Sequence, residues 1–205
     1  MEQRDFLPAG SNRGRQLTRG EIRTRLVALS HGIRGNGTQA ENNIRAAVLV
    51  PLVDRPQGWT VLLTLRAADL ADHAGQVSFP GGRIEPEDPD AIHAALREAE
   101  EEIGLPMNHV EVVGRLDTWL TGTGFEITPI VGLVRPPDAL VPDPIEVAEV
   151  FEVPLAFVLD PRNHERRPRE IRGEQRFFFV IPYQHRNIWG ATAGMLVNLA
   201  EVLTR

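Results

Sequence analysis

The 205-residue sequence contains no cysteine. Disulfide bonds, catalytic thiolates and zinc–thiolate sites are therefore excluded, and a reducing compartment fits. Long apolar runs are lacking too, since no segment approaches the ~20 apolar residues of a membrane-spanning helix. The beginning, MEQRDFLPAGSNRGRQ, has no apolar core of a secretory signal, and the final EVLTR matches no retention or peroxisomal signal. We therefore expect a cytoplasmic protein without membrane partners.

Basic residues are the minority among the charged ones, with 22 Lys and Arg against 28 Asp and Glu and a net charge of −6. A dedicated nucleic-acid-binding protein shows a basic surface, so we expect no nucleic-acid partner. A nucleotide substrate is not excluded, because a bound metal ion reverses the charge of a site locally. The length suits one domain with a sizeable core.

Apolar patterning predicts an N-terminal extension over residues 1–40 and one mixed α/β domain over residues 41–205. Residues 1–18 lack periodicity and are interpreted as a mobile arm. A short amphipathic helix is predicted from the spacing of Ile22, Leu26 and Leu29.

The predicted domain opens with a β-hairpin formed by Arg45–Val53 and Trp59–Arg66. The segment FEITPIVGLV predicts a strand in which Pro129 indicates an edge position or a bulge. Further strands are predicted in HVEVVGRL, at Val150–Val153 and in QRFFFVIPYQHRNIWG, and a C-terminal helix in ATAGMLVNLAEVLTR.

The stretch FPGGRIEPEDPDAIHAALREAEEEIGLP contains a well-signalled helix, predicted from about Pro89 to Ile103. Asp88 suits the N-cap, Pro89 the first helical position and Gly104 the left-handed residue after the end. The helical period places these apolar residues on one face, towards the sheet: Ile92, Ala95, Leu96, Ala99 and Ile103.

Four glutamates are crowded into the end of this helix. Glu98, Glu101 and Glu102 share one side of it, whereas Glu100 falls on the other side and is expected to be solvated. A run of glutamates is often only a wet face, but Glu98 and Glu102 flank the apolar stripe, where uncompensated carboxylates are costly. Clustered carboxylate oxygens are what Mg²⁺ or Mn²⁺ requires.

The segment GG…REAEEEIGL resembles the Nudix box, G-x5-E-x7-R-E-U-x-E-E-x-G-U, in which U is aliphatic, and Arg97 to Leu105 match it at every defined position. The resemblance implies an α+β fold, a Nudix-type α/β/α sandwich with a mixed β-sheet. It also implies hydrolysis of a nucleoside diphosphate linked to another group, with Mg²⁺ or Mn²⁺ as cofactor. Implied site residues are the metal ligands Glu98, Glu101 and Glu102, a metal-binding carbonyl at Gly82, and Arg97 as the residue that orients the carboxylates.

The spacing between Gly82 and Arg97 is one residue longer than in the family pattern. Counted back from Arg97, the box glutamate position holds Pro89, and counted forward from Gly82, it holds Asp88. We interpret Asp88 mainly as the cap of the helix.

The segment preceding the box, LLTLRAADLADHAGQVSFPGG, resembles the coenzyme A diphosphatase subgroup of the Nudix family, whose pattern is LLT-x-R-(S/A)-x-x-L-x-x-H-x-G-x-(V/I)-x-F-P-G-G. This resemblance implies four substrate-binding residues. Arg66 and His73 are suited to phosphate groups, Gln76 falls into the same pattern, and Phe79 is predicted either to stack on adenine or to pack in the core.

Glu146 is the candidate general base from outside the box, with Glu101 as its competitor. The expected reaction splits coenzyme A or a derivative into 4′-phosphopantetheine and adenosine 3′,5′-bisphosphate. The alternatives are another Nudix substrate (ADP-ribose, NADH or an oxidised nucleotide) and a non-catalytic nucleotide-binding module. The expected partner is a small-molecule substrate, and the oligomeric state is left open, a homodimer being one option.

Overall fold

A computed structural model describes residues 16–28, 31–68, 74–135, 139–171 and 174–205. Most of the predicted mobile arm lies outside these residues, as do Leu29 and His73. In the described part of the chain the helices are α1 (Arg19–Val27), α2 (Ala91–Ile103), α3 (Leu155–Val158) and α4 (Gly190–Thr204). None of them is long and apolar enough to cross a membrane.

The strands form one large mixed sheet and one small antiparallel sheet. The large sheet contains β1 (Ile33–Gly35), β2 (Ile44–Arg55), β3 (Gly58–Arg66), β4 (Val77–Ser78), β5 (Gly81–Arg83), β6 (Val110–Arg115), β7 (Thr118–Leu120), β8 (Phe125–Val134) and β9 (Val147–Pro154). The small sheet contains β10 (Glu165–Ile171), β11 (Glu174–Tyr183) and β12 (Arg186–Trp189).

The centre of the large sheet is the run β7-β8-β2-β3, in which β2 and β8 are parallel and the β2–β3 hairpin is antiparallel, as predicted. Strand β5 pairs with β2, whereas β9 pairs with β3. These two pairings bring the Gly81-Gly82 segment and the start of β9 to neighbouring central strands.

Both faces of the sheet are covered, because the central strands carry apolar residues on both sides. In β2, Ala47 and Leu49 face α2, whereas Val48 and Val50 face the layer that contains α1 and α4. The result is three layers, α/β/α, as predicted. The small sheet packs with α4 on the side away from α2.

Helix α1 belongs to this core, although it lies in the predicted extension. Ile22 and Leu26 are fully buried in the same apolar cluster as α4. The start of α1 is fixed by a capping box, in which Thr18 and Glu21 exchange hydrogen bonds. The division of the chain at residue 40 stays a prediction.

Of the two alternatives predicted for Pro129, an edge position or a bulge, the edge position was wrong, and the irregular register between β8 and β6 lies at Val131 and Gly132. Strand β8 is interior, with β2 on one side and both β6 and β7 on the other. Pro129 lies between the residues that pair with β6 and those that pair with β7, and its carbonyl accepts from the backbone N–H of Leu116. The strand paired with this side of β8 changes from β7 to β6 at Pro129. No ladder hydrogen bond from a backbone N–H of residue 129 is needed there, so a proline is tolerated.

Candidate active site

Helix α2 approaches the sheet closely because its buried face is made of small side chains. Ala94, Ala95 and Ala99 are fully buried against the β2 side of the core. The prediction that Ile92 packs on the sheet was wrong, since Ile92 lies in the first turn and is 39% exposed. Gly104 ends the helix in the predicted left-handed conformation, at φ 65° and ψ 27°.

The start of α2 differs from the prediction by two residues. The cap is Asp90, not Asp88, because Asp90 is extended and its Oδ1 accepts from the backbone N–H of His93 at 2.8 Å. The predictions of Asp88 as the cap and of Pro89 as the first helical residue were therefore wrong, because the helix begins at Ala91. The Asp88 side chain is therefore free for another role.

Asp88 pairs with Arg97 inside the protein. Its side chain is 2% exposed, and its two oxygens accept from Arg97 Nε at 3.1 Å and Nη2 at 3.0 Å. The same carboxylate accepts from the backbone N–H of Glu85 and lies 2.9 Å from His93 Nδ1. The bond from Arg97 holds the pKa of Asp88 well below its usual range.

Arg97 in turn connects the β5 turn with the glutamate cluster. Its Nη1 lies 3.0 Å from Glu98 Oε1 and 2.8 Å from Glu101 Oε2, and its Nη2 donates to the carbonyl of Arg83. Arg97 thus contacts the β5 turn, Asp88 and two of the predicted metal ligands, and its orienting role stays a prediction.

Gly82 lies directly against the carboxylate of Glu98. A Cβ atom at Gly82 would stand 2.5 Å from Glu98 Oε1, so a side chain at this position would displace the end of the Glu98 side chain. The glycine therefore leaves the space beside β5 that the Glu98 carboxylate occupies. Burial raises the pKa of Glu98, with attraction from Arg97 acting in the opposite direction.

Glu102 is the most buried member of the cluster, at 4% exposure. Its Oε2 accepts from the backbone N–H of Gly81 at 3.1 Å, and its Oε1 lies 3.7 Å from Arg66 Nη1. Burial nevertheless raises the pKa of Glu102 to about 7, and the negative charges of Glu98 and Glu146 act in the same direction. Three carboxylates therefore interact at this place, which argues against the wet-face interpretation.

The two candidates for the general base differ in surroundings. Glu101 is 61% exposed and paired with Arg97. Glu146 lies in the turn before β9, partly buried, and its charge acts on both Glu98 and Glu102. The charge of Glu146 thus acts on both buried carboxylates, those of Glu98 and Glu102. The roles of Glu101 and Glu146 stay predictions.

Of the predicted substrate-binding residues that the structure describes, Arg66 and Gln76 are neighbours, whereas Phe79 faces the core. Arg66 ends β3 beside Glu102, and its Nε is buried without a hydrogen-bond partner in the described part of the protein. The Gln76 carbonyl accepts from Arg66 N at 3.0 Å. Phe79 is 2% exposed within the apolar cluster on the α4 side, which favours core packing over stacking on adenine.

The donor set fits a divalent cation. Among the described residues, no three Asp, Glu or His side chains converge closely enough to enclose an ion as they stand. Glu98 and Glu102 nevertheless supply hard oxygen ligands in a place where burial and mutual repulsion disfavour bare anions. A cation relieves both costs, so the residues present suit it.

A cleft of about 430 Å³ lies elsewhere, between Arg55, Glu152 and Leu140 at the outer side of β9. None of the candidate catalytic or metal-binding residues lines it. Its two charged residues are already paired with each other, Arg55 Nη2 lying 2.5 Å from Glu152 Oε1. The carboxylate cluster on α2, and not this cleft, is therefore the candidate active site.

Comparison with known proteins gives the family of the chain. The model of the NUDIX domain matches residues 43–174. An uncharacterized Nudix hydrolase NudL from Photorhabdus laumondii is 44% identical over 162 residues, covering 79% of this chain and 86% of that protein. The protein of the same description from Escherichia coli K12 is 43% identical over 159 residues, covering 78% and 82%.

Among solved structures, the chain is similar to an Ap4A hydrolase from C. elegans, with 19% identity, a TM-score of 0.45, and coverage of 54% of this chain and 80% of that one. The family match spans more than half of the chain and contains the whole carboxylate cluster on α2. The match and the two relatives together establish that the chain belongs to the Nudix family and is a Nudix hydrolase, an enzyme that cleaves nucleoside diphosphate derivatives.

Proposed function

We propose that this hydrolase cleaves the diphosphate bond of coenzyme A or its derivatives. The supporting observation is the position of the segment that resembles the coenzyme A diphosphatases. This segment begins in β3 and ends in β5. Arg66, near its beginning, and Gly81, near its end, both contact Glu102. The residues typical of the subgroup thus adjoin the carboxylates typical of the family.

The contacts support a separate role for each residue of the site. Glu98 and Glu102, with Glu101 and the Gly82 carbonyl as further candidates, hold Mg²⁺ or Mn²⁺. When bound, the metal lowers the pKa of a water molecule and neutralises charge on the phosphoryl oxygens. Arg97, fixed by Asp88, keeps the Glu98 carboxylate oriented.

The remaining residues act on the water and on the substrate. Glu146 accepts the proton of the attacking water as general base. Arg66, whose guanidinium group stands beside Glu102, binds a phosphate group. The products are 4′-phosphopantetheine and adenosine 3′,5′-bisphosphate.

Hydrolysis of coenzyme A in ¹⁸O-labelled water tests the proposal. Purified protein with Mg²⁺ or Mn²⁺ is expected to give the two products, with one ¹⁸O in the product whose phosphorus is attacked, as measured by mass spectrometry. Addition of EDTA is expected to stop turnover. If coenzyme A and its acyl esters stay intact with both metals, the proposed substrate is wrong.

Other Nudix substrates are the principal alternative, and a panel separates them. ADP-ribose, NADH and an oxidised nucleoside triphosphate are measured under the same conditions as coenzyme A. We expect kcat/KM for coenzyme A to exceed each of the others by about 100-fold, since a site built for a substrate's polar groups rejects analogues without them by that factor or more. A higher value for any of them would reassign the substrate within the family.

A further inference from the structure

The turn that carries Glu146 is built around Asp143. The Asp143 carbonyl accepts from the backbone N–H of Glu146 at 3.1 Å and of Val147 at 2.8 Å. Its side-chain Oδ1 accepts from the backbone N–H of Ile145 at 2.9 Å. A side chain that bonds the backbone two residues on forms an Asx turn, which fixes the local chain direction.

Both ends of this turn are attached to elements of the candidate active site. At one end the Asp143 N–H donates to the carbonyl of Glu102 at 2.9 Å, in the last turn of α2. At the other end the Glu146 carbonyl accepts from Ala67 N–H at 2.9 Å, one residue beyond Arg66. The position of Glu146 is therefore set relative to Glu102 by a short chain of hydrogen bonds.

Packing holds the end of this turn, where Val147 is buried in the core, but not its middle. Val141 and Ile145 are 74% and 75% exposed, so their burial does not fix the residues around Asp143. Pro142 and Pro144 stand on either side of Asp143 and have no N–H to donate. The N–H, carbonyl and side chain of Asp143 are all used, so this residue concentrates the bonds that hold the turn.

We propose that Asp143 is a positioning residue, which holds Glu146 where it serves as general base. The proposal rests on the role of Glu146 in the proposed function. The Asp143 side chain acts through its acceptor oxygen and not through its charge, because it accepts from a neutral backbone N–H, that of Ile145.

Two substitutions separate these possibilities. Asp143→Ala removes the acceptor and is expected to lower kcat by about 10-fold or more while KM stays within about twofold, because a misplaced catalytic group loses transition-state stabilisation and not substrate binding. Asp143→Asn keeps an acceptor oxygen and is expected to restore kcat to within about twofold of the wild type. Equal impairment of both variants would show that the charge matters and would overturn the proposal.

A double-mutant cycle tests the connection with Glu146. If Asp143 acts through Glu146, Asp143→Ala has no further effect on kcat in an enzyme that already carries Glu146→Gln. Full additivity of the two effects, or wild-type kcat in Glu146→Gln alone, would overturn the proposal. The substrate is whichever nucleoside diphosphate derivative the panel identifies, so failure on coenzyme A alone does not count against Asp143.

Asp160 provides the matched control for stability. Its Oδ1 also accepts from the backbone N–H two residues on, that of Arg162, at 3.0 Å, in a turn after α3 that carries no candidate residue. Asp160→Ala thus removes the same kind of backbone bond elsewhere, together with the exposed ion pair to Arg162, and is expected to leave kcat unchanged. A comparable loss of kcat in both variants, measured below their thermal midpoints, would mean that Asp143 is merely structural.

Discussion

At the scale of single residues, Glu102 combines burial with a charge that its neighbours compensate only in part. The Gly81 N–H and Arg66 favour its ionised form, but burial outweighs them and raises its pKa to about 7. The folded protein without metal therefore holds a proton that the unfolded chain releases near 4.5. Ionisation of the buried Glu102 therefore costs free energy in the metal-free protein. A bound cation stabilises the ionised carboxylate, which suits a metal ligand.

This raised pKa predicts how stability depends on pH in the metal-free protein. The contribution of Glu102 is complete below about pH 4.5 and is lost as the pH rises towards 7, because the folded state then binds more protons than the unfolded state. Glu102→Gln is neutral throughout. In EDTA at pH 8, the free energy of unfolding of the Glu102→Gln variant is expected to be on the order of 2 kcal/mol higher than that of the wild type.

Urea denaturation from pH 4.5 to 8 measures this difference. The gain from Glu102→Gln should vanish at pH 4.5 and grow with pH. The exposed Glu100 of the same helix provides the control, since Glu100→Gln is expected to stay within about 0.5 kcal/mol of the wild type. A gain from Glu102→Gln that is the same at every pH would contradict the assignment.

At the scale of elements, the start of α2 separates two tasks between two aspartates. Asp90 caps the helix at its exposed end, through one bond to His93. Asp88, two residues earlier, turns inwards and joins the β5–α2 connection to Arg97. The connection between β5 and α2 is one residue longer than in the family pattern. It nevertheless places the carboxylate of Asp88 against Arg97.

Replacing each aspartate with alanine is expected to separate stability from activity. Asp90→Ala loses one cap and about 1 kcal/mol of unfolding free energy, with kcat unchanged. Asp88→Ala removes the acceptor of Arg97 Nε and Nη2 and costs about 1.5–3 kcal/mol, and kcat falls because Arg97 no longer holds Glu98 in one orientation. Denaturation and steady-state kinetics on both variants measure this. Equal kcat in the two variants would remove Asp88 from the site.

At the scale of the whole molecule, the core extends beyond the region matched by the family model. That region begins at residue 43, yet Ile22 and Leu26 of α1 are buried in the cluster that contains α4. Leu26 lies against Gly114, where an added Cβ would come within 3.1 Å of its Cβ. The preceding helix therefore completes the third layer of the sandwich and is not an appendage to it.

Substitutions in α1 test this contribution. Ile22→Ala is expected to lower the free energy of unfolding by about 2–5 kcal/mol, as truncation of a fully buried side chain does. Val27 of the same helix is 78% exposed, so Val27→Ala is expected to change it by less than about 0.5 kcal/mol. Urea denaturation measures both, and similar small effects would mean that α1 is only loosely attached.

Local signals in the sequence predicted the elements whose causes are local. Helix α2 and its end at Gly104 follow from periodicity and a left-handed glycine, and the β2–β3 hairpin follows from two apolar runs around a short turn. Strand β10 was missed because its sequence, ERRPREI, is charged and contains proline, and it forms through its pairing with β11. Strand β11 follows closely in the chain and is apolar, but the sequence of β10 itself carries no strand pattern.

The sequence by itself determined the family, the reaction class and the glutamates to examine, because the Nudix box is a contiguous pattern of spacing and residue type. Only the tertiary structure decided which aspartate caps α2, that Phe79 packs in the core, and that Glu146 and Asp143 are tied to Glu102. These facts depend on burial and on bonds between segments far apart in the chain. Burial and long-range hydrogen bonds exist only once the sheet and its helices have assembled.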